Sequence, residues 1–89
     1  MHTFIFTKNA EKAFRVLSQE VQERILKKLK HLKTHPDLFS LLKSLHNFAP
    51  ATHRLRVGSH RIILELKEQK KADLEFWILD VDDRKKVYM

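Results

Sequence analysis

The chain has 89 residues, of which 43% are hydrophobic, and this length leaves room for one domain with one modest core. It has no cysteine, which excludes disulfide bonds, thiolate nucleophiles and thiolate metal ligands. Its formal net charge of +7, from 18 Lys and Arg against 11 Asp and Glu, favours a polyanionic partner such as nucleic acid.

The sequence carries no visible membrane or targeting segment. Its longest apolar run, Phe76 to Leu79, is far shorter than the roughly 20 residues that span a bilayer. Residues 1–7 alternate like a strand and lack the cationic start and apolar stretch of a signal peptide. We therefore expect a cytoplasmic protein without membrane association.

The first elements are a strand and a short helix. Residues 2–7 alternate phenylalanines with other side chains, which predicts a strand covered on at least one face. Thr7 or Asn9 can cap a following helix, in which apolar residues recur at helical spacing up to Leu17.

The second helix is marked at both ends. Ser18 can cap it, and it should end near Thr34 because Pro36 disfavours helix in the residue before it. Its apolar positions repeat along one face at Val21, Ile25, Leu29 and Leu32. The two helices should form an antiparallel hairpin against one sheet, with Leu17, Ile25 and Leu29 in the core.

A leucine-rich stretch follows, and then the pattern changes to that of strands. Residues 36–45 predict one or two helical turns, and residues 46–51 are irregular. From Ala51 the period is two, with Leu55 and Val57 on one face and Arg54 and Arg56 on the other.

Gly58 and Ser59 predict a tight hairpin turn into a strand over residues 60–67. A polar loop over 69–72 precedes a strand over 73–81, in which Trp77 is expected to pack in the core. Asp82 and Asp83 should end that strand, before a short edge strand at residues 87–88. The fold class is therefore α+β: one domain, 1–89, with an N-terminal strand and a helical hairpin packed on a twisted antiparallel sheet of about four strands.

The later motifs of the chain resemble a known family. The stretch from Arg54 to Leu64, Arg-Leu-Arg-Val-Gly-Ser-His-Arg-Ile-Ile-Leu, is followed about twenty residues later by Asp-Arg-Lys-Lys-Val-Tyr, ending at Tyr88. Together with the Leu-Lys-x-Leu segment from Leu42 to Leu45 and the Lys- and Leu-rich helices, these motifs resemble the RelE/ParE superfamily of toxins from bacterial type II toxin-antitoxin systems. The resemblance covers essentially the whole chain.

The resemblance to the RelE branch implies a metal-independent mRNA interferase: an endoribonuclease that cuts messenger RNA on the ribosome, inhibits translation and is neutralised by a cognate antitoxin. The residues that match its basic and aromatic site positions are Arg54, Arg56, Arg61, Arg84 and Tyr88, with Lys85 and Lys86 as further RNA-binding candidates. The sequence departs from the family at Asp82, where arginine or histidine is common, and at His60 and Leu64, where tyrosine is common.

Metal-free RNA cleavage needs a base for the 2′-hydroxyl, cations for the phosphorane charge and a proton donor for the leaving oxygen. Arg61 and Arg56 can stabilise the charge but cannot act as the base. His60 is the preferred base. Because strict alternation points His60 away from Arg61, His53 or a ribosomal group remains an alternative. Tyr88 can stack on a base or orient the 2′-hydroxyl.

Other functions stay open at this stage. A ParE-type protein would inhibit DNA gyrase without cutting RNA, and a degenerate member would be inactive because Asp82 and Asp83 repel phosphate. His31 and His35 form one helical pair without a third ligand nearby, and a single glycine gives no phosphate-binding loop, so we expect no metal and no small-molecule cofactor. For the antitoxin, a leucine-bearing helix laid against the first two helices suits the leucine-rich stretch 38–45.

Overall fold

A computed structural model describes residues 1–83 as two helices packed on one sheet. The elements in chain order are β1 (Thr3–Phe6), α1 (Lys8–Arg15), α2 (Gln19–Leu32), a 3₁₀ turn (Leu38–Leu41), β2 (Lys43–Ser44), β3 (His53–Val57), β4 (His60–Lys70) and β5 (Asp73–Asp83). The predicted α+β class and the order of strand, helix, helix and meander are confirmed.

Both helices begin where side-chain caps were predicted. The hydroxyl of Thr7 accepts from the Ala10 amide at 3.2 Å, and that of Ser18 accepts from the Val21 amide at 3.3 Å. These bonds satisfy amides that have no partner within the helix. The Gln22 side chain joins the helices by donating to three main-chain carbonyls at the end of α1, those of Phe14, Arg15 and Leu17.

The sheet has five strands in the order β1-β5-β4-β3-β2 and is mixed. This corrects the expectation of about four antiparallel strands. β1 lies parallel to β5 at one edge, whereas the other pairs are antiparallel. The helices carry the chain from β1 across one face, as a crossover between parallel strands requires. At the other edge, β2 has only two residues, too few to show a period in the sequence.

The last hairpin is longer than the sequence suggested. β4 continues to Lys70, through the start of the predicted polar loop, and β5 continues through Asp82 and Asp83, which were expected to end it. The cause is the alternation of β5: Val81 is buried in the core, while Asp80 and Asp82 point to the other face. The carboxylates of Asp80 and Asp82 therefore stay out of the core while the backbone ladder continues, and Asp83 extends that ladder opposite His60.

The core lies between the helices and one face of the sheet. It contains Ile25, Leu29 and Leu32 from α2, and Leu55, Ile62, Leu64, Phe76 and Ile78 from the strands. The predicted core positions Ile25 and Leu29 are confirmed, and Leu17 is half-buried at its margin. The Phe4 and Phe76 rings stack at 5.9 Å between centroids, which fixes β1 beside β5.

The opposite face of the sheet, called here the open face, carries the alternate residues of each strand. Trp77 lies on it and is 36% exposed, with the Lys67 ammonium 4.4 Å from its ring centroid. The expectation that Trp77 packs in the core is therefore wrong. No helix within residues 1–83 combines the length and apolar character that crossing a membrane needs.

Candidate nucleic-acid interface

Three arginines lie together on the open face, at the end of the sheet near the β3–β4 turn. Arg54 and Arg56 alternate with the buried Leu55 and Val57 on β3. Arg61 on β4 lies directly opposite Arg56. Cross-strand partners point to the same face with Cβ atoms roughly 5 Å apart, so the three guanidinium groups share one surface.

The hairpin turn sets this arrangement. Gly58 has φ +61°, a left-handed conformation that glycine adopts without strain, and its two-residue turn pairs Val57 with His60. Arg56 and Arg61 are the next pair along the ladder. A shift of one residue would turn Arg61 towards the core.

The arginines differ in exposure. Arg56 is exposed, Arg54 is half-buried and Arg61 is only 8% exposed. Arg61 faces Asp82 across the β4–β5 ladder, an opposite-charge pairing that stabilises a sheet. Because Arg61 is the least exposed of the three, solvent screens its interactions least, while the Asp82 carboxylate opposite it offsets part of its positive charge.

A groove of about 360 Å³ lies on this face and is lined by Arg54 and Arg61 but not by Arg56. Its lining joins an apolar wall to a charged floor and consists of Leu45, Phe48, Ala51, Arg54, Arg61, Ile63, Asp80 and Asp82. Both carboxylates come from the extended end of β5, where Asp80 faces Ile63 and Asp82 faces Arg61. The groove therefore combines apolar contact with charged groups of both signs.

Lys43 adds a further cation that was not predicted from the sequence. It is exposed on β2 and pairs with Arg54 across the β2–β3 ladder, so it lies on the open face next to the groove. The available signal was its place in the Leu-Lys-x-Leu segment, but a two-residue strand gives no alternation from which to read its direction.

The proposed base, His60, does not share this surface. It pairs with the buried Val57 on the face that the helices cover, and it is only 9% exposed. This corrects the choice of His60 as a base next to Arg61, because a phosphate on the open face is out of its reach. The reason is the strict alternation of β4 between residues 60 and 64.

The alternative base, His53, is also on the helix-covered face. Its ring packs 5.4 Å from the Phe39 ring and 5.5 Å from the Phe76 ring, centroid to centroid. Burial lowers the pKa of His53 from its ordinary value, because the charged imidazolium loses solvation there. Neither predicted histidine therefore reaches the groove.

Four predicted site residues, Arg84, Lys85, Lys86 and Tyr88, lie outside the described residues and stay predictions. Within residues 1–83 no group of three His, Asp or Glu side chains is placed to hold a metal ion. Residues 1–83 thus contribute to the site a patch of cations, two carboxylates and one exposed aromatic wall.

Known structures share this fold. The chain superposes on a chain of the RelBE2 toxin-antitoxin complex from Mycobacterium tuberculosis with a TM-score of 0.73 at 22% identity, covering 92% of this chain and 90% of that one. For the isolated RelE toxin of E. coli the TM-score is 0.64 at 22% identity, with 99% and 92% covered. For the RelB-RelE antitoxin-toxin complex of Methanococcus jannaschii it is 0.63 at 22% identity, with 94% of each chain covered.

No protein-family model and no curated protein matches the sequence significantly. At this level of identity the structural likeness establishes the fold. The chain therefore has the fold of the RelE toxins, as the sequence motifs predicted.

Proposed function

We propose that this chain is the toxin of a toxin-antitoxin pair and that it inhibits translation in the cytoplasm by cutting messenger RNA on the ribosome without a metal ion. The observation that carries the proposal is the convergence of Arg54, Arg56 and Arg61 on one open sheet face. The RelE fold and the net charge of +7 support it further.

The arginines supply charge stabilisation. A guanidinium presents planar N–H donors that match two phosphate oxygens, and it keeps its charge at every physiological pH. We assign the phosphorane to Arg61, the least exposed of the three, and neighbouring phosphates to the more exposed Arg54 and Arg56. Of these, Arg61 contributes most to the rate because its interactions are least screened.

Proton transfer needs another source. Because His53 and His60 face the helices, neither takes the proton of a 2′-hydroxyl bound in the groove. We assign this step to a ribosomal group, which would make cleavage depend on the ribosome. Arg84 and Tyr88 keep the roles that the family resemblance gives them, as a second cation and a stacking or orienting aromatic.

The partner that we propose is a cognate antitoxin. Several structures with this fold are complexes of RelE with the antitoxin RelB. The leucine-rich stretch suits a helix from such a partner, because Phe39 and Leu41 are each 40% exposed. An antitoxin that also covered the cationic groove would prevent RNA from entering it.

One observation favours a second candidate. A binding protein of the ParE type, which inhibits DNA gyrase, needs no general base, and neither predicted histidine lies in the groove. Such a protein would still use the cationic surface to bind its target. This candidate differs from the first in the molecule that the chain acts on.

Expression of the chain alone separates the two. We expect growth arrest with new messenger 5′ ends inside ribosome-covered coding regions, and cleavage by the purified protein only when ribosomes are present. A supercoiling assay with purified gyrase runs in parallel. Inhibited gyrase without new 5′ ends would establish the second candidate, and growth arrest with neither effect would overturn both.

A further inference from the structure

Phe48 is an exposed aromatic that forms one wall of the cationic groove. Its side chain is 63% exposed, in the segment that connects β2 to β3. It lines the groove together with Arg54 and Arg61. A phenyl ring left in water makes no contribution to the core, and its place next to two guanidinium groups calls for a physical reason.

Hydrogen bonds hold the backbone of the segment that carries this ring. The Leu45 amide donates to the Thr52 carbonyl at 2.9 Å, and the Ala51 amide donates to the Phe48 carbonyl at 2.9 Å. Asn47 has φ +62°, a left-handed conformation that asparagine tolerates better than most residues. The backbone that carries the ring is therefore fixed by hydrogen bonds at both ends of the segment.

The charge around the ring favours an anionic ligand. On this part of the open face Lys43, Arg54, Arg56 and Arg61 stand against the carboxylates of Asp80 and Asp82, which leaves an excess of positive charge. Flat aromatic rings next to a track of cations are the combination that binds single-stranded nucleic acid: bases stack on the rings and phosphates contact the cations.

We propose that Phe48 is a base-stacking residue for single-stranded RNA: one base lies against its ring while the neighbouring phosphates contact Arg54 and Arg61. This inference rests on the proposed function, since both place RNA in the groove. It adds a positioning residue from a segment that the motif resemblance does not include. Stacking uses the flat face that every base has, so the contact should tolerate any of the four bases.

The test measures binding of a short single-stranded oligoribonucleotide that carries the fluorescent base 2-aminopurine at successive positions. Stacking quenches this fluorophore, so one position should darken on binding to the wild-type chain. Phe48→Ala should abolish the quenching and weaken binding by about 5- to 150-fold, which corresponds to about 1–3 kcal/mol per stacked base. Because the ring is exposed, the Tm of the Phe48→Ala protein should equal that of the wild type.

Three further variants sharpen the test. Phe48→Tyr keeps the ring and should bind and quench like the wild type, whereas Phe48→Leu keeps apolar bulk and should fail like the alanine variant. Trp77→Leu is the matched control, because it removes an exposed aromatic from the same face outside the groove. Affinity and quenching should survive in that control.

Several outcomes would overturn the inference. Normal quenching in Phe48→Ala, or normal RNA affinity in Phe48→Leu, would show that no base stacks on Phe48. Intact RNA binding with reduced affinity for a purified antitoxin would make Phe48 a protein-binding residue instead. The proposed function is tested separately. A wild-type chain that cuts no messenger on ribosomes would contradict the nuclease function, whereas unimpaired cleavage by Phe48→Ala would contradict only the role of Phe48.

Discussion

Replacing Arg61 with alanine removes the least exposed of the three grouped guanidinium groups. At 8% exposure its interaction with a bound phosphate is only partly screened, so it resembles a preorganised donor aimed at the transition state. Removing one such donor costs about 3 kcal/mol, roughly a hundredfold or more in the cleavage rate. Arg56 is exposed, and its removal should cost about 1 kcal/mol or less, roughly fivefold.

Two further variants are compared with Arg61→Ala. One tests whether the planar guanidinium is needed in addition to its charge, and the other controls for the loss of any one positive charge. Arg61→Lys keeps a positive charge but has no planar fork, so its rate should fall between those of the wild type and Arg61→Ala. Arg15→Ala is the matched control, because Arg15 is 74% exposed on α1 and pairs with Glu11 away from the open face. Its rate should equal that of the wild type.

The assay is single-turnover cleavage of a messenger on programmed ribosomes, with RNA binding measured over a range of salt concentrations. Removing one cation that binds a phosphate should reduce the slope of log affinity against log salt by about 0.7 for a single strand. Circular dichroism must show that Arg61→Ala is folded, since the change also removes the cation opposite Asp82. A folded Arg61→Ala protein that cleaves within twofold of the wild-type rate would refute the role of Arg61.

Three more changes test the site and the fold. Burial holds the pKa of His53 below its ordinary 6.5, so the neutral ring stabilises the fold fully above about pH 6.5, and this stabilisation is lost as the pH falls through the folded pKa. His53→Gln should therefore flatten the acid side of a plot of Tm against pH. A pKa at or above 6.5 in an NMR titration of the His53 ring would contradict this prediction. His2 is buried, accepts from the Leu74 amide at 3.2 Å and contacts the His35 carbonyl at 2.9 Å, so His2→Ala should lower the free energy of unfolding in urea by about 1–3 kcal/mol. Asp82→Asn removes a negative charge from the groove and should tighten RNA binding several-fold by fluorescence anisotropy, whereas weaker binding would mean that Asp82 positions Arg61.

Local sequence patterns were sufficient for the elements that carry the arginines. The period of two around Leu55 predicted that Arg54 and Arg56 share one face, and the two-residue turn predicted at Gly58 fixes the register that brings Arg61 opposite Arg56. The same alternation indicated that His60 points the other way. The helix caps at Thr7 and Ser18 could be predicted for a similar reason, since the capping side chain bonds to an amide only three residues further along the chain.

Features that depend on pairing between distant segments could not be predicted from the sequence. Nothing near β1 in sequence shows that it lies parallel to β5, because that pairing is made across about seventy residues. Asp82 and Asp83 looked like the end of a strand because aspartate favours turns, but the ladder with β4 holds them in β5. Phe48 was missed because irregular segments have no period from which to read the direction of a side chain.

Under the proposed function, the chemistry would be divided between this chain and the ribosome. The guanidinium groups of the open face can bind phosphates and stabilise negative charge, and they share the groove with the carboxylates of Asp80 and Asp82. Both candidate histidines are turned towards the helices, where His53 is biased further towards the neutral form by burial. Under the proposed function, this surface would orient RNA and stabilise charge without moving the proton itself, and a base from the ribosome would complete the site only when a messenger is being translated.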